Sequence, residues 1–262
     1  MSQGYITVSD AADAAPWLIM VHGMTQDHRV FSSQVAAFKD RYRILLIDLP
    51  GHGLSTEVPG PYGHVEMMEH VRLMWDQAAI GPAHFWATHT GTAVGLLLAA
   101  QEPERFKSLI LEGAVISGYD MPYVSETLGQ ASVVARSEGP KAAIDQVFSN
   151  AKWFDAIRAD PVECRMDEHW KIMSDFSCAP WIDDGPVKPA KVSDNEIAAM
   201  KMPVLIYNGE HDVSDFIDAA DHLKRLMPNS TRKTIPGGGG FPAWEYPDRV
   251  NSVVDEFLSH HS

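Results

Sequence analysis

Residues 83–100 read Ala83-His-Phe-Trp-Ala-Thr-His89-Thr-Gly-Thr-Ala-Val-Gly-Leu-Leu-Leu-Ala-Ala100. A short apolar run passes through a turn of small residues into a segment with apolar side chains at 93, 94, 96, 97, 98 and 100, as in a buried helix. A strand that turns sharply into a helix lifts one side chain at the crest and aims the first helical amides at it. The side chain at that crest is His89.

Outward from this stretch, Trp17–Val21, Arg43–Asp48, Phe106–Val115 and Met202–Asp212 are largely apolar runs of the kind buried on both faces of a mostly parallel sheet. Tyr5–Val8 and Thr231–Ile235 add outer strands. Helical spacing over Arg29–Lys39, His64–Gln77, Phe216–Met227 and Pro247–Leu258 separates them. The alternation predicts an α/β fold with helices on both faces of the sheet. It stops between 117 and 201, where Tyr119, Trp153, Phe154, Trp170, Phe176 and Trp181 crowd a segment of mostly helical spacing.

The central stretch resembles the nucleophile elbow of the α/β-hydrolase superfamily, Gly-x-Ser-x-Gly. Aligned on Gly91, this chain reads Ala87-Thr88-His89-Thr90-Gly91, so a histidine stands where the family carries its serine. The other landmarks follow in order: His22-Gly23-Met24, Asp48-Leu-Pro-Gly-His-Gly-Leu-Ser55, Gly209-Glu-His-Asp212 and Pro236-Gly-Gly-Gly-Gly-Phe-Pro242. The resemblance implies that the amides of Met24 and Thr90 form an oxyanion hole and that Asp212 is the triad acid, with Glu112 the second candidate. It implies a core domain of residues 1–116 and 202–262 and a helical cap over 117–201. The pocket would then involve His22, Gly23, Gly240, Phe241, Trp153 and Trp181. His52 reads as a turn histidine. In the last loop, family members place their general base where this chain has Gly240.

A serine acyl-enzyme needs an activated hydroxyl, and this chain lacks both the serine and its base. Thr90 occupies an oxyanion-hole slot and is a poor nucleophile. The two changes read as one rearrangement: His89 leans into the space freed at Gly240 and hydrogen-bonds Asp212, or failing that Glu112. The resulting base-and-orienter pair, facing an anion hole, suits cofactor-free attack on a small carbonyl compound, whether an ester, lactone, amide or C–C bond next to a carbonyl. Direct acyl transfer to the imidazole ranks beneath it. Asp27-His-Arg-Val-Phe31 and Phe241-Pro-Ala243 are similar to runs in the fold's cofactor-independent dioxygenases, and lyases also use this fold. The alternative from another class is a pseudoenzyme that binds a small ligand without chemistry.

A net charge of −14 argues against nucleic acid and anionic membrane as partners, since both need basic surface. No basic leader with an apolar run and no spanning segment is visible, and two cysteines, Cys164 and Cys178, suit a reducing compartment; the expectation is a cytoplasmic protein. No cofactor is called for. His211 beside Asp212 does not make a metal site. A homodimer stays open.

Overall fold

In a computed structural model that describes residues 4–261, the apolar runs become one seven-stranded sheet. The strands are β1 (Tyr5–Val8), β2 (Trp17–Val21), β3 (Arg43–Ile47), β4 (Ala83–Thr88), β5 (Phe106–Glu112), β6 (Val204–Gly209) and β7 (Thr231–Ile235). Their order is β1-β3-β2-β4-β5-β6-β7, with β1 antiparallel to β3 and the remaining neighbours parallel. The principal helices are α1 (Ser32–Phe38), α2 (His64–Gln77), α3 (Thr90–Gln101), α4 (Pro122–Glu138), α5 (Met166–Ser174), α6 (Ser214–Leu226) and α7 (Pro247–Ser259). Every residue of β4 is buried, and so is all of α3 short of its last two residues, because helices cover both faces of a parallel sheet.

Register sets the chemistry at one edge. Thr88 pairs with Glu112 and Glu112 with Tyr207, so the carboxyl ends of β4, β5 and β6 lie side by side beneath the elbow. Two boundaries differ from the sequence reading. Strand β5 stops at Glu112, short of Val115, because Gly113 turns to φ +55° and leaves strand geometry. The helix expected from Arg29 opens as a 3₁₀ turn, His28–Phe31, capped by the Asp27 side chain, and α1 proper begins at Ser32.

Between β5 and β6 the chain is helical: α4, then short turns that carry Trp153 and Phe154, then α5 and smaller pieces up to Ala199. Phe148, Trp153, Phe154 and Trp181 are all buried, and Phe148 meets the other three rings tilted or edge-on, which gives this segment an aromatic core of its own. Among the described residues no helix is long and apolar enough to cross a membrane.

Candidate active site

His89 carries the backbone of a strained elbow, φ +46° and ψ −115°. A positive φ at a residue with a Cβ costs of order 1–3 kcal/mol and persists only where neighbours hold it. Here the His89 amide donates to the Glu112 carbonyl at 2.9 Å, and the His89 carbonyl accepts from the Thr92 amide at 2.7 Å and the Thr92 hydroxyl at 2.6 Å. Both sides of the peptide are therefore fixed by β5 and the first turn of α3.

The ring lies over Gly113, whose missing Cβ would stand 2.6 Å from Nε2, so a larger residue there would displace it. Phe216 meets the ring edge-on at 4.8 Å between centroids and Phe241 packs tilted at 4.5 Å. Neither Nδ1 nor Nε2 has a hydrogen-bond partner, although the residue is only 7% exposed. Burial pushes the imidazole down to about 3, with the Gly240 backbone offsetting part of that from outside hydrogen-bond geometry. The side chain is a neutral imidazole, with one N–H and one lone pair unmet.

The hydrogen-bonded pairing of His89 with Asp212 or Glu112, expected from the sequence, is not formed. Both carboxyls are committed elsewhere. Asp212 accepts from the Asn208 side chain and the Val213 amide, each at 2.8 Å. Glu112 accepts from the Ala243 amide at 2.9 Å and from the Tyr207 hydroxyl, which itself accepts from the Trp86 indole at 2.9 Å. The ring does come up to the Gly240 backbone, but the side-chain direction of Gly240 is not empty. A Cβ on Gly240 would stand 2.5 Å from the Trp153 carbonyl oxygen and 2.6 Å from its Cβ, and the Gly240 amide donates to that carbonyl at 3.2 Å. The helical segment occupies the space a side chain at position 240 would take.

Burial also raises the carboxyls, Asp212 to about 7 and Glu112 to about 8. A third buried acid, Glu245, is pushed up to about 7; it accepts from the Gly239 amide at 2.6 Å and the Phe241 amide at 3.1 Å. The sequence reading missed it. The signal was a lone glutamate in Phe241-Pro-Ala-Trp-Glu245, where an apolar run carries one charge that must find buried donors.

Met24, His89, Thr90, Trp153 and Phe241 line one small cavity, with Val115, Val124, Leu128, Phe148 and Phe216 completing it. Four residues expected at the pocket do not line it. The His22 ring nitrogens are used by the Gly23 carbonyl at 2.7 Å and the Leu49 amide at 3.0 Å, which turns the ring toward β3. Gly23 sits behind the His89 Cβ, Gly240 lies under Trp153, and Trp181 is one layer back, against Phe148 and Phe176. The amides of Met24 and Thr90 have no acceptor among the described residues, as a turn and a helix N-terminus leave them.

A second histidine was also overlooked. His169 of α5 is fully buried, and its Nε2 lies 3.0 Å from the Gln26 side-chain nitrogen. The Gln26 oxygen accepts from the Gly23 amide at 3.3 Å, so the amide nitrogen is the donor to His169 and Nε2 the acceptor. The helical segment is thereby tied to the turn that bears Met24. Among the described residues no three His, Cys, Asp or Glu side chains converge to hold a metal ion.

A strained elbow at the carboxyl edge of a parallel sheet, an adjoining turn with a free amide and an acid loop after β6 define the class. Residues 16–181 match the model of the alpha/beta hydrolase fold, and the chain belongs to that family. It is 24% identical over 249 residues to a pimeloyl-[acyl-carrier protein] methyl ester esterase of Nitrosomonas europaea, covering 92% of this chain and 94% of that one. It is also 24% identical to a 2-hydroxy-6-oxononadienedioate/2-hydroxy-6-oxononatrienedioate hydrolase of Burkholderia vietnamiensis, covering 92% of this chain and 86% of that one. The enol-lactonase of Burkholderia xenovorans superposes with a TM-score of 0.79 at 22% identity, over 97% of this chain and 95% of that one.

Proposed function

We propose that this chain binds a small, mostly apolar carbonyl compound in the cavity at the elbow and acts on it without a cofactor. In this reading 117–201 caps the site, the amides of Met24 and Thr90 receive the developing oxyanion, and His89 is the general base. Ester, lactone, amide and C–C bonds next to a carbonyl are all within its reach. One observation carries it: a buried imidazole with both nitrogens unmet, on the wall of a cavity. Leaving a buried polar group unpaired costs about 1–3 kcal/mol, and such a group in a folded protein calls for an explanation. A bound carbonyl compound and water supply one: water gives its proton to the free ring nitrogen as it attacks, the oxyanion rests on the two amides, and the proton passes to the leaving group. The relatives' names, an ester esterase, a lactonase and a hydrolase, support the substrate class.

The base works alone, because Asp212 and Glu112 are engaged with other donors. An orienting carboxylate is worth as much as about 10⁴ in kcat, and a base acts best with a pKa near the working pH. A ring at about 3 with no orienter therefore gives slow turnover. The same facts favour a second reading, binding without chemistry. A panel of small esters, lactones and ketones assayed for binding and turnover separates them. We expect slow turnover that drops about 100-fold or more in His89→Ala, and no adduct from a serine-directed fluorophosphonate. Binding with no turnover of any compound would establish the second reading; turnover unchanged in His89→Ala would remove the base.

A further inference from the structure

We propose that the indole N–H of Trp153 is a second ligand-binding donor, so that the ligand of the elbow cavity is a neutral molecule carrying a carbonyl and, a few atoms away, another hydrogen-bond acceptor. The inference rests on the proposed function of the cavity and narrows its ligand class. Trp153 lines the cavity, is 2% exposed, and its Nε1 finds no acceptor. The indole ring is wedged among Tyr123, Phe148 and Phe216, none of which offers the N–H a partner, while its backbone is pinned on Gly240. An indole has a donor and no acceptor, so only an acceptor on the ligand or a water completes it.

The walls set the remaining features. No lysine, arginine or carboxylate lines the cavity, so nothing there compensates a ligand charge. The free space is about 40 Å³, and a water needs about 10–15 Å³ on the same measure, so the ligand is a chain or ring of few heavy atoms. The amides of Met24 and Thr90 claim the carbonyl oxygen on the elbow side. Trp153 claims the second acceptor on the side of the helical segment.

Two isosteric probes test this: 2-pentanone, and methoxyacetone, in which an ether oxygen replaces one methylene. Dissociation constants are measured by NMR titration for the wild type and for Trp153→Phe, which keeps an aromatic ring in place. We expect the wild type to prefer methoxyacetone by a factor of about 3–10, with the Trp153 indole proton moving downfield for that ketone alone, and the preference to vanish in Trp153→Phe. Should the variant not fold, the wild-type preference and the indole shift decide the matter. Equal affinities with an unmoved indole proton would overturn the Trp153 assignment and leave the elbow reading standing. Binding of neither ketone would overturn both.

Discussion

The elbow and the Pro236–Pro242 loop are the two places at which this chain departs from the resembled Gly-x-Ser-x-Gly and Pro-Gly-x-Gly-His-x-Pro patterns, and they are built differently. At the elbow a strained backbone, its supporting hydrogen bonds and two free amides surround a histidine side chain. In the loop Gly240 is a packing contact: Trp153 rests on it while Glu245 clamps the amides of Gly239 and Phe241. The elbow presents an unpartnered imidazole, whereas the loop holds the helical segment down. Position in a fold preserves geometry; what the geometry is used for depends on which neighbour claims the space.

That contrast is broken most forcefully by placing a histidine in the loop. Gly240→His would drive a side chain into the Trp153 backbone, and we expect a loss of about 3 kcal/mol, roughly 6–12 °C in melting temperature, with no gain of serine-type reactivity even when combined with His89→Ser. A stable double variant that forms a fluorophosphonate adduct would show that the loop still has room. Glu245→Leu should cost about 2–4 kcal/mol, because two buried amides lose their acceptor, and chemical denaturation would measure it.

Titration sharpens the comparison. His22, His52, His89 and His169 are lowered by burial, so the unfolded chain binds more protons than the folded one as pH falls below about 6.5, and stability drops with pH there. Glu112, Asp212 and Glu245 are raised to about 8, 7 and 7, so the folded chain binds more protons and their contribution fades as pH rises through those values. Between about pH 4.5 and 6.5 the limbs oppose each other, and the seven lowered imidazoles, with His64, His70 and His84 counted, outweigh the three carboxyls and the raised His28. The melting temperature should peak near pH 6.5, and Glu112→Gln should flatten the alkaline side; a monotonic profile would contradict these burials. The smallest effect is expected at Gln26→Leu. Cutting its bridge between His169 and the Gly23 amide should cost about 1 kcal/mol in stability and weaken ketone binding while the elbow keeps its shape. Unaltered affinity would uncouple the helical segment from the Met24 turn.

The fold was legible because its signals are local. Apolar runs of strand length and the small-residue turn after Thr88 each dictate their own geometry, and the register then brings Glu112 and Tyr207 alongside. The elbow could be placed to the residue for the same reason. What the sequence could not show was competition. Reading His89 against Gly240 treated the missing base as free space, yet Trp153, 87 positions away, takes it. Asp212 and Glu112 were read as free acids, but Asn208, Val213, Ala243 and Tyr207 hold them. Such a set of donors depends on tertiary contacts between segments far apart in the chain. Gln26 and His169, 143 positions apart, were invisible for the same cause.

If the His89 ring is neutral, unpaired and waiting for a ligand, its ring ¹⁵N shifts report this most directly. We expect one neutral tautomer from about pH 5 to about pH 9, with both nitrogen signals moving when a small ketone is added. A ring that titrates near neutrality or above would mean that a carboxylate holds it after all, and would contradict the unpaired imidazole on which the proposed chemistry depends.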